Sequence, residues 1–323
     1  MKNMNKRSFA VIGAGALGGL YGGMLAKAGF DVHFLFRSDA DHVRKHGLKV
    51  ESKWGDFQLS AVNVYDRAEA MPACDVTILA LKTTQNHLLP ELLPGPTGTG
   101  GSVLVLQNGL NVETQVAAIV GPGRVFGGCC FLCCNKVGPG HVRHLDYGRI
   151  VFARYDSKHD SPAEVDPQAR SIAADLQAAG IDAHAVADLW LTRWRKLMWN
   201  IPFNGLSVVL NATTQELIED AATAELARAI MEEVATASAA CGHLQPADAI
   251  DQTLQHTRQM VPYDSSMRLD YLAGRPMELE AILKNPLVAA ANMGVAMPNV
   301  RMLYQQLLFL QNQASNTHRI AAQ

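Results

Sequence analysis

Three glycines follow the first apolar run of the chain. Residues 9–12 form that run, and Gly13, Gly15 and Gly18 come directly after it, where a helical pattern begins. In this context the first glycine permits a tight turn, the second lets a pyrophosphate approach the backbone, and the third lets the helix pack closely on the strand. A glycine-rich turn without a ligand is the alternative, which the flanking strand and helix disfavour. The motif predicts a dinucleotide site formed by Gly13, Ala14, Gly15, Ala16, Leu17 and Gly18.

Alternating apolar runs and helical patterns continue to about residue 187. The runs 76–81 and 103–106 have the continuous apolar character of buried parallel strands. From residue 189 onward, helical periodicity prevails and alanine, leucine, methionine, glutamine and glutamate dominate. A chain of 323 residues is also long for one compact core. We therefore predict a Rossmann α/β domain with a doubly wound, mostly parallel sheet over residues 1–187, and an all-α domain over residues 188–323.

The residues after the second predicted strand indicate which dinucleotide binds. NAD enzymes usually place an acidic residue there, which accepts a hydrogen bond from the ribose 2′-hydroxyl. This chain has Arg37 and Ser38 instead, and a guanidinium offers a charged, planar pair of donors to a 2′-phosphate. Arg44 and Lys45 are candidate helpers, whereas Asp39 and Asp41 keep NAD as an alternative. The sequence therefore predicts NADP(H) as the cofactor, with Arg37 as one of its ligands.

The overall charge argues against two classes of partner. The formal net charge is −2, and the chain contains no long run of lysine or arginine. Proteins that bind nucleic acid or an anionic membrane surface usually carry such runs. No apolar stretch reaches the roughly 18–20 residues that a membrane-spanning helix needs. We expect a soluble, cytoplasmic protein that acts on a small molecule. The sequence does not fix the oligomeric state, for which a homodimer is one candidate.

Four of the six cysteines lie close together, as Cys129, Cys130, Cys133 and Cys134. Overlapping Cys-x-x-Cys spacings are typical of zinc or redox sites. The flanking apolar residues instead indicate a buried extended segment, in which Cys129 and Cys133 face one side and Cys130 and Cys134 face the other. One metal ion cannot easily collect ligands from both faces. We therefore predict that these cysteines are core residues and that the chain has no metal site.

A lysine and two asparagines recur every four residues in the second half. On a helix, Lys196, Asn200 and Asn204 share one stripe, while Trp199 and Phe203 fall on an apolar side. One cation and two amides suit the carboxylate and the ketone oxygen of a small acid. A solvated polar face with an ordinary lysine explains the spacing at least as well, because most surface helices show such stripes. The spacing alone leaves both interpretations open.

Several further short motifs occur along both predicted domains. They are Leu81-Lys82-Thr83-Thr84-Gln85, Leu106-Gln107-Asn108-Gly109, Ser265-Ser266-Met267 followed by Asp270, and Met277-Glu278-Leu279-Glu280. Together with the glycine motif and the segment 194–204, they make the chain resemble the ketopantoate reductase family (2-dehydropantoate 2-reductases) from Phe9 to about Leu308. Each motif is short, and the specificity of the resemblance comes from their order and their family-like distances.

The resemblance implies a role for each matched residue. Lys196 corresponds to the catalytic lysine of the family, and Glu278 corresponds to its functional carboxylate. Glu280 lies two residues further along a helix and is expected to face solvent. The resemblance places Lys82 near the cofactor and Asn108 beside the nicotinamide. The residues that it implies for substrate binding are Asn108, Asn200, Asn204 and Ser266.

The resemblance implies NADPH-dependent reduction of a 2-keto acid, most strongly of 2-dehydropantoate (ketopantoate) to pantoate in pantothenate and coenzyme A synthesis. One departure weakens that choice of substrate, because the chain has Asn285-Pro286 where relatives commonly show Asn-Gly. The alternatives are a paralogue that reduces another branched 2-keto acid, a β-hydroxyacid dehydrogenase-like enzyme, and a non-catalytic NADP-binding regulator. The segment 265–267 and Glu278 favour the ketopantoate reductases over the second alternative, and Lys196 with Glu278 counts against the third.

Overall fold

The computed structural model of the chain describes residues 6–158, 164–262 and 264–321. The described residues divide into two compact units. The first comprises residues of Met1–Gln107 and Val112–Leu189, and the second comprises residues of Asn108–Asn111 and Trp190–Gln323. The short segment Asn108–Asn111 therefore groups with the second unit, although the residues on either side of it belong to the first. Over the described residues, no helix combines the length and apolar character that crossing a bilayer requires.

The first unit is built on one ten-stranded sheet. Its strands are β1 (Ser8–Ile12), β2 (Asp31–Leu35), β3 (Leu48–Ser52), β4 (Phe57–Leu59), β5 (Asn63–Tyr65), β6 (Val76–Leu79), β7 (Ser102–Val105), β8 (Val125–Gly138), β9 (His141–Arg154) and β10 (Ala183–Ala185). They lie in the order β4-β3-β9-β8-β7-β6-β1-β2-β5, with β10 beside β9. The pairs β3–β4 and β8–β9 are antiparallel, and the other pairs are parallel. The predicted mostly parallel Rossmann sheet is confirmed.

The strand order reverses at β1. This strand pairs with β2 on one side and with β6 on the other, so the chain builds the sheet outward from β1 in both directions. In open α/β sheets, ligands bind beyond the carboxyl ends of the strands at such a point. Strand β1 ends at Ile12, and the glycine motif begins at the next residue. The topology therefore places the predicted dinucleotide loop where this fold binds ligands.

Helices cover the sheet of the first unit. They are α1 (Ala16–Lys27), α2 (Ala40–His46), α3 (Leu89–Leu92), α4 (Pro94–Thr97), α5 (Glu113–Val120) and α6 (Pro167–Ala178). Helix α1 packs especially closely, because a Cβ on Gly22 would lie 2.5 Å from the ring of Phe34 and 2.8 Å from the side chain of Val11. Both of these side chains are fully buried. The contact holds α1 against β1 and β2 and so fixes the direction of its N-terminus.

The four clustered cysteines lie on β8. All four are buried, and burial raises the pKa of Cys133 and of Cys134 to about 12. Cys130 and Cys134 belong to the main apolar core of the unit, whereas Cys129 and Cys133 lie outside that cluster. The prediction that these cysteines are core residues is confirmed. Among the described residues, no three His, Cys, Asp or Glu side chains are grouped as they would be around a metal ion.

Every regular element that the structure describes in the second unit is helical. The helices are α7 (Leu189–Val209), α8 (Thr214–Glu219), α9 (Ala221–Ala240), α10 (Ala249–Gln259), α11 (Ser266–Leu272), α12 (Asn285–Asn292) and α13 (Pro298–Ala321). A π-helical turn, Glu280–Lys284, leads directly into α12 and is called the π turn below. Trp194 and Phe203 of α7 are almost completely buried, so one face of this helix lies in the core of the protein. The predicted helical second half is confirmed.

Candidate active site

The three motif glycines differ in why they are needed. Gly13 has a φ of +92°, and a Cβ there would lie 2.6 Å from the backbone nitrogen of Leu81. A Cβ on Gly18 would lie 2.4 Å from the carbonyl oxygen of Gly13. The fold itself therefore requires both of these glycines. A Cβ on Gly15 would meet no atom within 4 Å, so protein packing does not explain this glycine. The open space beside Gly15, at the N-terminus of α1, fits a pyrophosphate.

The residues after β2 divide into exposed donors and one buried acceptor. Arg37 and Ser38 are both exposed, but Ser38 already donates its one hydroxyl hydrogen to Asp39, so Arg37 is the candidate donor to a 2′-phosphate. Asp39 is buried, and both of its carboxylate oxygens have partners. Oδ1 accepts hydrogen bonds from Ser38 Oγ at 2.9 Å and from Lys136 Nζ at 2.8 Å. Oδ2 lies 2.7 Å from Lys136 Nζ and accepts a hydrogen bond from the Gly140 backbone N–H at 3.0 Å.

These contacts hold Asp39 in its ionised form. Burial raises the pKa of this carboxyl, but the hydrogen bonds from its three partners outweigh burial and leave the pKa below its ordinary value. The second acidic residue that kept NAD as an alternative, Asp41, pairs with Arg44 at 2.9 Å. Arg44 also pairs with Asp66 at 2.9 Å, so this predicted helper already has two carboxylate partners. Arg37 is therefore the better placed of the two arginines for a 2′-phosphate.

Lys82 lies on the loop that follows β6. The residue is exposed and directly precedes a 3₁₀ turn. Gln107, which is buried, donates from Nε2 to the carbonyl oxygen of Leu81 at 3.0 Å and to Asn86 Oδ1 at 2.7 Å. These bonds fasten the chain on both sides of Lys82. The sequence motif that contains Gln107 gives no sign of this role, because the partners of Gln107 lie on another connection between a strand and a helix.

The polar stripe of α7 is not a solvated face. Asn200 is 4% exposed and Asn204 is 2% exposed, while Lys196 is half-buried. The alternative of an ordinary surface helix is therefore wrong for the two asparagines. Within the described residues, Asn204 Oδ1 is buried and has no hydrogen-bond partner. Leaving a buried polar group unpaired costs about 1–3 kcal/mol, so this oxygen indicates a missing donor such as a ligand hydroxyl.

The serine pair before α11 has one structural member. Ser265 is fully buried, accepts a hydrogen bond from the Arg268 backbone N–H at 3.1 Å, and lies 2.7 Å from Ser207 Oγ. Ser207 Oγ in turn donates to the carbonyl oxygen of Asn204 at 3.0 Å. Ser266 is only half-buried and begins α11. Ser265 therefore ties α11 to α7 near Asn204, which leaves the second serine, Ser266, as the candidate for substrate.

The two glutamates of the next motif have opposite environments. Glu278 is 5% exposed. The side chain of Glu280 is 75% exposed and pairs with Lys284 at 3.1 Å, one turn along. The expectation that Glu280 faces solvent is confirmed. A buried carboxylate in a unit that also buries two amides is suited to hold a cation or to accept a hydrogen bond from a hydroxyl.

The predicted site residues fall into two chemically distinct sets. The first unit holds the set expected for a dinucleotide, Gly13–Gly18, Arg37 and Lys82, and the second holds Asn108, Lys196, Asn200, Asn204, Ser266 and Glu278. The second set combines an ammonium, a carboxylate, amides and a hydroxyl. Such groups can bind a small hydroxy acid and can donate a proton to a developing oxyanion.

Comparison with known families gives two matches. The family described as "Ketopantoate reductase PanE/ApbA" matches residues 9–157, and "Ketopantoate reductase PanE/ApbA C terminal" matches residues 188–311. The chain belongs to the ketopantoate reductase family. The matched ranges include every site residue that the sequence predicts, and the resemblance stated from the motifs is confirmed.

Individual ketopantoate reductases match almost the whole chain. A 2-dehydropantoate 2-reductase of Nostoc sp. is 50% identical over 307 residues, which cover 95% of this chain and 96% of the relative. The crystal structure of 2-dehydropantoate 2-reductase from Geobacter metallireducens is 38% identical, with a TM-score of 0.89 and coverage of 95% of this chain and 99% of that one. A ternary structure of D-mandelate dehydrogenase with NADH and anilino(oxo)acetate shares the fold at 20% identity, with a TM-score of 0.85 and coverage of 95% and 99%.

Two alanine substitutions should distinguish a glycine that the cofactor requires, Gly15, from a glycine that the fold requires, Gly18. Gly15→Ala should leave the melting temperature near the wild-type value, because its methyl group meets no protein atom. It should weaken the binding of a nicotinamide dinucleotide by about tenfold, which corresponds to about 1.4 kcal/mol, because the methyl group would occupy the space for the pyrophosphate. Gly18→Ala should lower the melting temperature as well. Thermal unfolding measures the first effect and fluorescence titration with the reduced dinucleotides measures the second. Wild-type affinity for both NADH and NADPH in Gly15→Ala would contradict the site.

Proposed function

We propose that this chain reduces ketopantoate to pantoate with NADPH. The Nostoc protein that bears the name of this enzyme is 50% identical, over 95% of the chain. The observation that carries the proposal is the burial of Asn200 and Asn204 on the helix of Lys196. Buried amides are almost always hydrogen-bonded, and a small hydroxy keto acid supplies the bonds that two amides and an ammonium group can make.

The first unit supplies the site for NADPH. Gly15 leaves room for the pyrophosphate beside the N-terminus of α1. Arg37 is exposed and suits the 2′-phosphate, whereas the neighbouring Asp39 is engaged by Lys136. Lys82 lies on a loop that Gln107 fastens. When bound, the reduced nicotinamide supplies the hydride that is added to the keto carbon.

Lys196 serves the oxygen of the reacting carbonyl. Hydride addition leaves negative charge on that oxygen, and an ammonium group both stabilises the charge and donates a proton to it. Lys196 is half-buried, so its charge is screened less than in bulk water. Glu278, which is buried, holds the ammonium group or accepts a hydrogen bond from a substrate hydroxyl.

The amides and Ser266 hold the rest of the substrate. Asn200, Asn204 and Ser266 bind its carboxylate and its hydroxyl, which keeps the carbonyl in one orientation. Asn204 Oδ1 accepts hydrogen bonds and needs a donor. A carboxylate cannot supply that donor, whereas the hydroxyl of ketopantoate can. This oxygen therefore favours ketopantoate over branched 2-keto acids that lack a hydroxyl, which are the second candidate substrates.

The cysteines support a reducing compartment. All six are free thiols, and the four on β8 are buried in the protein. Disulfides are rare in cytosolic proteins, where thiols are kept reduced. On this basis we place the enzyme in the cytoplasm.

Arg37→Ala should weaken NADPH binding more than NADH binding. The loss of a charge-assisted contact to the 2′-phosphate should weaken NADPH by about 1.5–3 kcal/mol, whereas NADH has no such phosphate. Arg67→Ala is a suitable control, because Arg67 is an exposed arginine of the same unit that pairs only weakly, at 3.7 Å, with Glu69. Titration of each variant with both cofactors gives the result. An equal loss for NADPH and NADH in Arg37→Ala would refute the assignment.

Lys196→Ala should lower kcat for ketopantoate while leaving NADPH affinity nearly unchanged. General acid catalysis alone contributes about 10²–10⁴ in rate, and this contribution is made in the transition state. Asn204→Ala should mainly raise KM, because its contact also exists in the ground state. Arg195→Ala is the matched control, since it removes a neighbouring charge whose partner is Gln252 at 2.9 Å.

The assay for these variants is NADPH oxidation that depends on added keto acid. Wild-type enzyme should turn over ketopantoate with a higher kcat/KM than a branched 2-keto acid without a hydroxyl. No turnover of any 2-keto acid by the wild type would refute the proposed function. Near-normal kcat in Lys196→Ala would refute only the role of the lysine.

A further inference from the structure

The turn Asn108–Asn111 has an unusual backbone. Gly109 has a φ of +111° and Asn111 has a φ of +61°, so two of its four residues lie in the left-handed region. Such conformations are strained for residues other than glycine and persist where surrounding contacts hold them. Asn108, which we propose to act beside the nicotinamide, directly precedes Gly109. The position of its side chain therefore depends on whatever holds this turn.

Two hydrogen bonds hold the turn, and both come from the segment around the π turn. The Leu110 backbone N–H donates to the carbonyl oxygen of Ala281 at 2.9 Å, and Asn285 Nδ2 donates to the carbonyl oxygen of Leu110 at 2.7 Å. Leu110 is 2% exposed, so these bonds satisfy a buried peptide. A Cβ on Gly109 would lie 2.5 Å from Ala281 Cβ, which shows how closely the two backbones approach.

The π turn explains why the Ala281 carbonyl is available. In the π register the Asn285 backbone N–H donates to Glu280, five residues earlier. The next donor in that register would be residue 286, which would pair with Ala281. Residue 286 is proline and has no N–H. The carbonyl of Ala281 therefore has no donor within its own helix and accepts from Leu110 instead.

We infer that Asn285 and Pro286 position Asn108 for the reaction. Pro286 leaves the Ala281 carbonyl open to the Leu110 N–H, and the side chain of Asn285 occupies the Leu110 carbonyl. The inference rests on the proposed function, in which Asn108 contacts the cofactor. It also gives the departure from the common Asn-Gly a physical role, because glycine at 286 would return a donor to the helix.

A double-mutant cycle tests this inference. Asn285→Asp keeps the size of the side chain but cannot donate to the Leu110 carbonyl, and it should lower kcat on the order of tenfold. If Asn285 acts through Asn108, Asn285→Asp combined with Asn108→Ala should be no slower than Asn108→Ala alone. Pro286→Ala, which acts on the bond from Leu110 to Ala281, should also lower kcat and should likewise add nothing to Asn108→Ala. Glu280→Gln, on the exposed side of the π turn, is the control and should keep wild-type kcat.

The outcomes distinguish the inference from the function on which it rests. Wild-type kcat in Asn285→Asp, or fully additive effects with Asn108→Ala, would overturn the positioning role. Wild-type kcat in Asn108→Ala would instead refute the proposed site. If the Asn285 variant has too low a melting temperature to assay, the cycle with Pro286→Ala decides, because that variant keeps the bond from Asn285 to Leu110 and acts only by offering the Ala281 carbonyl a competing donor.

A second inference rests on a different observation, the contact between Lys136 and Asp39. Lys136 comes from β8, and its ammonium group lies within hydrogen-bond distance of both carboxylate oxygens of Asp39. The side chain of Lys136 is 38% exposed, whereas that of Asp39 is 7% exposed. Ser38, beside Arg37, donates to the same carboxylate oxygen as Lys136. Without Lys136, an unpaired anion would lie two residues from Arg37, which we propose for the 2′-phosphate.

We propose that Lys136 determines the preference for NADPH by neutralising Asp39. An uncompensated carboxylate at this place would repel the 2′-phosphate and could accept a hydrogen bond from the ribose 2′-hydroxyl of NADH. With Lys136 in place, both carboxylate oxygens of Asp39 have partners, and the positive charge of Arg37 is not opposed by a free carboxylate. The preference for NADPH over NADH then depends on Lys136, which is 97 positions from its partner Asp39 in the sequence.

Lys136→Met tests this second inference, which also rests on the proposed use of NADPH. The ratio of kcat/KM for NADPH to that for NADH should fall on the order of tenfold. Asp39→Asn added to Lys136→Met should restore the ratio, because the carboxylate is then gone. Lys53→Met is the matched control, since Lys53 pairs with Asp146 elsewhere on the sheet. An unchanged ratio in Lys136→Met would overturn the inference, whereas a wild type without preference for NADPH would refute the proposed cofactor.

Discussion

The first unit depends on a contact in which two stretches of backbone meet with no side chain between them. A Cβ on Gly18 would lie 2.4 Å from the carbonyl oxygen of Gly13, and a Cβ on Gly13 would lie 2.6 Å from the backbone of Leu81. Helix α1 can therefore begin directly at the carboxyl end of β1. Its first N–H groups and its positive dipole end are then presented where the strand order reverses. Gly22 continues this close packing further along the helix, against Phe34.

The features that could be predicted from the sequence are those that neighbouring residues determine. The glycine loop, the buried strands and the all-helical second half have local patterns, and the structure confirms them. The burial of Asn200 and Asn204 has no such pattern, because it arises when α10 and α11 pack on α7 through contacts such as Trp199 with Thr257 and Ser207 with Ser265. Partners of this kind, distant in sequence, are invisible to periodicity, and for that reason spacing alone left the solvated stripe open.

Buried polar groups also connect stability with ligand binding. An unpaired amide oxygen such as Asn204 Oδ1 lowers the free energy of unfolding, since water bonds it in the unfolded chain. A substrate that supplies the missing donor recovers that free energy on binding and so raises the stability of the complex. Asp39 is the opposite case, because groups of the protein already donate to both of its carboxylate oxygens. A saturated carboxylate gains little from a ribose hydroxyl.

The π turn changes the angle around the helix axis between the residues before it and the residues after it. An α-helix rotates by about 100° per residue, so the one extra residue in a π turn rotates everything before it by about that angle relative to everything after it. Glu278 lies before the turn and Asn285 lies at its end. Because Glu278 lies just before the first helical residue, Leu279, removing one residue from 280–284 would change by about that angle the direction from which Glu278 meets the helix axis. The length of this segment is therefore a structural constraint in its own right, separate from the identity of its residues.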